Sequence, residues 1–164
     1  MSEAEMPAPL APGDAVPAVT LTAADGSAID LKACIGAPLV VYFYPKDDTS
    51  GCTREAQEFS ERIDAFAALG ARVIGVSKDS PARHQKFTAK YGLTVPLASD
   101  EDGTAMAAFG VWVEKQLYGK RYMGIERSTF LFDAGGRLAK AWRKVKVPGH
   151  AEAVLDAVRA LGDA

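Results

Sequence analysis

The sequence predicts an α/β protein with a central mixed β-sheet flanked by helices. Three observations predict it. Residues 39–44 and 72–77 are short buried-looking runs, rich in β-branched and aromatic residues, and each is followed by a segment of helical period. Strands alternating with helices imply parallel pairing through right-handed crossovers. Late in the chain, residues 128–132 and 137–144 are two strand-like runs joined at Ala134-Gly135-Gly136, a hairpin signal that adds an antiparallel pair.

In order along the chain, residues 1–14 read as a flexible tail, because Pro7, Pro9, Pro12 and Gly13 interrupt regular structure. The rest, 15–164, reads as one domain, since 164 residues with 48% hydrophobic and 24% charged content suit a single core. Residues 19–22 alternate as a short strand and meet a turn at Asp25-Gly26, and residues 29–35 hold a helical turn closed by Gly36 and Pro38. The run 39–44 reads as a strand covered on both faces, stopped by Pro45. After a polar loop, Ala56, Phe59, Ile63 and Phe66 recur at helical spacing until Gly70. Residues 72–77 form the next buried strand. Ser80-Pro81 is a helix start, with Ser as cap and Pro in the first turn, and His84, Phe87 and Tyr91 share a face until Gly92. Residues 95–98 read as a short edge-like strand, 104–109 as a short helix, and 111–126 as an extended connection or irregular hairpin. Residues 150–161 form a terminal amphipathic helix with Val154, Leu155, Val158 and Leu161 inward.

Composition narrows the function classes. Lys plus Arg (19) nearly balances Asp plus Glu (21), so no long-range field recruits nucleic acid or anionic lipid. No apolar run approaches the roughly eighteen residues that a membrane helix needs. The N-terminus has neither a basic start nor an apolar stretch and does not read as a secretory signal, so the expected compartment is the cytoplasm. Only two cysteines occur, Cys34 and Cys52, too few for a disulfide scaffold and without neighbouring His residues to close a zinc site.

Cys52 lies just past the buried strand and opens the following helix. Reactive groups in such sheets collect at the carboxyl ends of strands. The first turn of a helix presents unpaired N–H groups and the positive end of the dipole, both of which favour an anion. A thiolate is the nucleophilic form of cysteine, so this placement suits a reactive thiol. Filling a strand–helix junction is the alternative use of a small side chain there. Likewise, Thr49 alone reads equally as a helix cap, Pro45 as a strand stop and Arg127 as a surface charge. His84 and His150 read as surface or capping residues rather than ligands, and Trp112, Tyr118 and Tyr122 as packing residues.

The spacing Pro45-x-x-x-Thr49-x-x-Cys52, within Val41-Tyr-Phe-Tyr-Pro45-Lys-Asp-Asp-Thr49-Ser-Gly-Cys52-Thr-Arg-Glu55, resembles the active-site signature of the peroxiredoxins. Val111-Trp-Val-Glu-Lys115, Tyr122-Met-Gly-Ile-Glu-Arg127-Ser-Thr-Phe-Leu131 and Trp142-Arg-Lys-Val-Lys-Val-Pro-Gly-His150 resemble the Q type, the bacterioferritin comigratory proteins, in particular. The likeness runs in order from about Gly13 to Leu161. It implies a thioredoxin-like fold and a thiol-dependent peroxidase that reduces hydrogen peroxide and organic hydroperoxides without cofactor or metal. It makes Cys52 the peroxidatic residue, whose thiolate becomes a sulfenic acid. Thr49 would orient the peroxide, Arg127 would stabilise negative charge, and Pro45 would shield the sulfur from water. Glu55, one turn after Cys52, would hold Arg127.

The chain departs from the family in its second thiol. Gln57 stands five residues after Cys52, where many Q-type relatives carry a resolving cysteine, and residues 80–91 contain none. Cys34 lies upstream, at a position not associated with resolving. The resemblance therefore implies a one-cysteine variant, a monomer or weak homodimer recycled by thioredoxin, glutaredoxin or a small thiol. A dithiol oxidoreductase would need C-x-x-C, which is absent, and a cysteine phosphatase a phosphate-cradling loop after the nucleophile. The rival from another class is a non-enzymatic thioredoxin-like module, redox-sensing or holdase. A binding module has no use for the set Pro45, Thr49, Cys52 and Arg127 together.

Overall fold

The computed structural model describes residues 10–162, so residues 1–9 of the expected tail lie outside the described residues. In chain order it runs β1 (Thr20–Ala23), β2 (Ala28–Asp30), a 3-10 turn (Leu31–Cys34), β3 (Leu39–Phe43), α1 (Ser50–Glu61), α2 (Ile63–Ala68), β4 (Arg72–Ser77), α3 (Pro81–Tyr91), β5 (Leu97–Ser99) and α4 (Thr104–Phe109). It continues with β6 (Trp112–Leu117), β7 (Lys120–Ile125), β8 (Ser128–Phe132), β9 (Leu138–Trp142) and α5 (His150–Gly162). Seven strands make one mixed sheet in the order β2-β1-β5-β4-β3-β8-β9. β3, β4 and β5 are parallel at its centre, while β1 pairs antiparallel with β5 and β8 antiparallel with β3. β6 and β7 form a separate antiparallel ribbon.

Alternation along β3 divides the core. Leu39, Val41 and Phe43 face a layer closed by α4 and the early strands, whereas Val40, Tyr42 and Tyr44 face α1, α2, α3 and α5. Tyr42 lies opposite Gly75 in the parallel register, where a Cβ would stand 2.5 Å from the ring hydroxyl oxygen. The glycine makes room for that ring, which stacks on Phe59 of α1 at 4.5 Å. The wholly buried Phe59 contributes about 2 kcal/mol or more, about twice what a side-chain cap is worth. α1 has no such cap, so packing on β3 holds it in place. None of the described helices is long and apolar enough to cross a membrane.

Several elements differ from the sequence expectation. The single helix expected from Ala56 to Gly70 breaks at Arg62, whose guanidinium bonds Glu58 O and Glu152 Oε2. β5 is interior, between β1 and β4, rather than edge-like, because the N-terminal hairpin adds to its far side. The chain is tied to the sheet before residue 15: Gly13 N–H donates to Leu138 O and Leu138 N–H to Asp14 O, each at 2.8 Å.

Candidate active site

β3 ends because Pro45 has no N–H; Tyr44 N–H still donates to Val76 O at 3.1 Å. The loop that follows crosses the carboxyl end of the parallel strands and delivers the chain into α1. Asp48 takes a left-handed conformation (φ 62°) and is held there by Lys90 Nζ at 2.7 Å and by the Tyr91 hydroxyl. Thr49 occupies the N-cap position in extended backbone. Its side chain does not cap the helix, because its hydroxyl instead donates to Lys46 O at 2.9 Å. The first-turn N–H groups are therefore left without a side-chain acceptor, and the Cys52 sulfur lies in that turn.

Cys52 is buried at 2% exposure, and its sulfur accepts a hydrogen bond from Arg127 Nη2 at 3.2 Å. Arg127 sits in the short junction between β7 and β8, where its carbonyl accepts from Val145 N–H at 2.9 Å. Its other terminal nitrogen, Nη1, is 2.6 Å from Glu55 Oε1. Glu55 is three residues after Cys52 on α1, so both face the guanidinium from one side of the helix. The group passes close to the backbone at Gly51, where a Cβ would stand 3.4 Å from Nη2, an ordinary van der Waals contact.

Burial pushes the Glu55 carboxyl up to about 7, outweighing the pull of Arg127 in the other direction. Burial alone would lower the Arg127 guanidinium, but Glu55 and Cys52 beside it carry it above its ordinary value. Lys115, on β6, is held below its ordinary value by burial and by the charge of Arg127. Val113, Lys115, Glu126, Arg127, Lys144 and Val145 line a groove of about 470 Å³ that reaches Arg127 from solvent. A cysteine sulfur with a fixed cation touching it, and a groove that reaches that cation, suit an attack that leaves negative charge on a departing atom.

Cys52, Arg127 and Glu55 thus come together, and Thr49 and Pro45 stand in the loop immediately before them. Pro45 and Thr49 are both exposed. The two histidines correct the expectation of surface or capping roles, and among the described residues both are buried. His84 is fully enclosed beneath the loop, bonded to Asp47, and His150 is bonded to Thr129. Hydroxyl and carboxylate partners remove the cost of burying an imidazole. Asp47 and His84 were therefore missed. The available signal was that His84 shares its helix face with Phe87, the face turned to the core.

Comparisons with known proteins show what the chain is similar to. A model of the AhpC/TSA family matches residues 12–141. "Peroxiredoxin Bcp" of Xanthomonas campestris is 46% identical over 160 residues, 98% of each chain, and the protein of that name in Bacillus subtilis is 46% identical over 92% of this chain and 94% of its own. A solved Xanthomonas campestris bacterioferritin comigratory protein, described for its alkyl peroxide reduction activity, superposes with a TM-score of 0.84 at 47% identity. It covers 90% of this chain and 98% of its own. A cysteine-to-serine mutant of Xylella fastidiosa PrxQ superposes at 0.88 with 41% identity, covering 94% and 98%.

Proposed function

The chain belongs to the AhpC/TSA family and is a thiol peroxidase, a peroxiredoxin of the Bcp/PrxQ kind with a thioredoxin-like fold; on that premise we propose that Cys52 is its peroxidatic residue. The observation that carries the assignment is the 3.2 Å contact of Arg127 with the Cys52 sulfur at the start of α1. The thiolate attacks the terminal oxygen of a hydroperoxide, the O–O bond breaks, and the products are Cys52 sulfenic acid and an alkoxide or hydroxide that takes a proton from water. Arg127 supports charge first on the sulfur and then on the leaving oxygen. Thr49, with its hydrogen already given to Lys46 O, offers its oxygen lone pairs to the O–H of the peroxide. Pro45, at the end of the strand, shields the sulfur from water, and Glu55 pins the guanidinium.

The substrates are hydrogen peroxide and organic hydroperoxides. A thiol then condenses with the sulfenic acid, releasing water and leaving a mixed disulfide, and a second thiol releases Cys52. Thioredoxin, glutaredoxin or a small thiol in the cytoplasm serves as that reductant, acting on a monomer or weak homodimer. The test is peroxide consumption with a dithiol reductant. Cys52→Ser is expected to abolish turnover while Cys34→Ser keeps most of it; equal loss in both would overturn the assignment of Cys52.

A further inference from the structure

A buried polar cluster lies directly under the loop that carries Thr49. His84 of α3 is wholly enclosed, Asp47 is 6% exposed and Asp79 is 8% exposed. His84 Nδ1 is 2.7 Å from Asp47 Oδ2, and Nε2 is 3.0 Å from Ala98 O on β5. The Tyr44 hydroxyl donates to Asp47 Oδ1 at 2.6 Å, and the Asp47 N–H donates to Asp79 Oδ2 at 2.8 Å. Asp79 Oδ2 also accepts from Ser77 Oγ, and Arg83 approaches Asp79 Oδ1 at 3.5 Å.

Counting hydrogens fixes the form of the ring. With Asp47 ionised, a carboxylate oxygen faces one ring nitrogen and a carbonyl oxygen the other, and neither has a hydrogen to give; the Tyr44 hydroxyl, 3.4 Å from Nδ1, gives its hydrogen to Asp47 Oδ1. A neutral imidazole has one N–H and would leave one contact with two facing acceptors. A ring with hydrogens on both nitrogens satisfies both and pairs its charge with Asp47. The same peptide unit then links this pair to the site. Its N–H is that of Asp47, held by Asp79, and its carbonyl is that of Lys46, which takes the Thr49 hydroxyl hydrogen at 2.9 Å.

Resting on the peroxidase reading above, the geometry points to His84 as a positioning residue for peroxide attack, a doubly donating imidazolium that grips Asp47 and so fixes the Lys46–Asp47 peptide that orients the Thr49 hydroxyl. His84 touches neither substrate nor sulfur. It acts on oxidation of Cys52, which uses Thr49, and not on reduction by thiols. Asp47→Asn can keep the grip, accepting from Tyr44 through its oxygen and donating its amide to a ring that holds one hydrogen.

The test separates the two half-reactions by stopped flow. His84→Ala and Asp47→Ala are expected to slow oxidation by peroxide roughly tenfold to a hundredfold, the cost of a misplaced reacting group. Reduction of the oxidised protein by dithiothreitol should stay near the wild-type rate, and Asp47→Asn should restore oxidation to within about threefold of wild type. Because His84 acts through Thr49, His84→Ala added to Thr49→Val should slow oxidation no further. Wild-type oxidation rates in His84→Ala, or a full further loss in the double variant, would overturn the inference. Nitrogen NMR of the wild-type ring tests it even if a variant fails to fold: both ring nitrogens should carry hydrogen, and a bare one would overturn it. A wild type that does not consume peroxide would remove the peroxidase reading, whereas the ring spectrum reads the grip independently.

Discussion

Arg127 serves two partners of unequal demand. Its contact with Glu55 is the shorter, 2.6 Å against 3.2 Å to the sulfur, yet burial pushes the Glu55 carboxyl up to about 7. Burial works against the ionised carboxyl and Arg127 works for it, and in the proposed mechanism the guanidinium also lends its charge to the sulfur and the leaving oxygen. Arg127→Gln keeps donors but loses the cation. The expected result is a peroxide rate lower by about a hundredfold to a thousandfold, read by stopped flow; an unchanged rate would take Arg127 out of the chemistry. Thr49 gives a second test of a single group. Val keeps its shape without the hydroxyl, and Ser keeps the hydroxyl without the methyl. Thr49→Val should cost on the order of a hundredfold and Thr49→Ser much less, while equal losses would make the residue steric. At this scale the meeting of Cys52 with Arg127 and Glu55 was legible through the family resemblance, which singles out those positions although Arg127 lies far from the other two in the chain. The Asp47–His84 pair was not, because a contact 37 residues apart in the chain leaves no local spacing to read.

The elements were legible where one period ran unbroken, as in β3, β4 and α5, and were not where tertiary contacts override pattern. Three residues of β5 gave no hint of an interior place, which depends on β1 arriving from the other side. The break at Arg62 depends on Glu152 of α5, 90 residues away. His150 shows an element boundary with a thermodynamic signature. It opens α5, bonds Thr129 of β8 at 2.7 Å and meets Trp142 edge to face. Burial, with the charge of Arg127 adding to it, pushes the imidazole from 6.5 down to about 4. Between these values the unfolded chain takes up a proton that the folded chain refuses. The stabilisation is therefore fully present above about pH 6.5 and is lost as pH falls toward 4. Urea unfolding between pH 7 and pH 4 should show the wild type losing on the order of 2–3 kcal/mol more than His150→Gln, which keeps a partner for Thr129. Parallel losses in the two proteins would mean that α5 docks without a neutral imidazole.

For the molecule as a whole, the sheet separates the two thiols. Arg72 opens β4 in register with Leu39, and its Nη1 donates to the Cys34 sulfur at 3.2 Å, so Cys34 sits at the amino end of the parallel strands. Cys52 lies beyond their carboxyl end. The five residues of β3 between those ends span about 17 Å. The faces differ too, since Cys34 packs against the layer closed by α4 and Cys52 belongs to the layer under α1 and α5. A disulfide needs Cα atoms within about 7 Å, and unwinding the first turn of α1 moves the sulfur by only a few ångströms. Within one folded copy Cys34 therefore cannot reach Cys52 to resolve a sulfenic acid formed there. One equivalent of peroxide should leave a single oxygen on Cys52, trapped by dimedone and located by peptide mapping. Added thiol should convert it to a mixed disulfide, and excess peroxide without thiol should drive it to the sulfinic acid. The measurement is intact mass after oxidation under native, non-reducing conditions. A monomer lighter by two hydrogens and carrying a Cys34–Cys52 link would mean that the fold opens far more than these two layers allow, and one-cysteine turnover would fall with it.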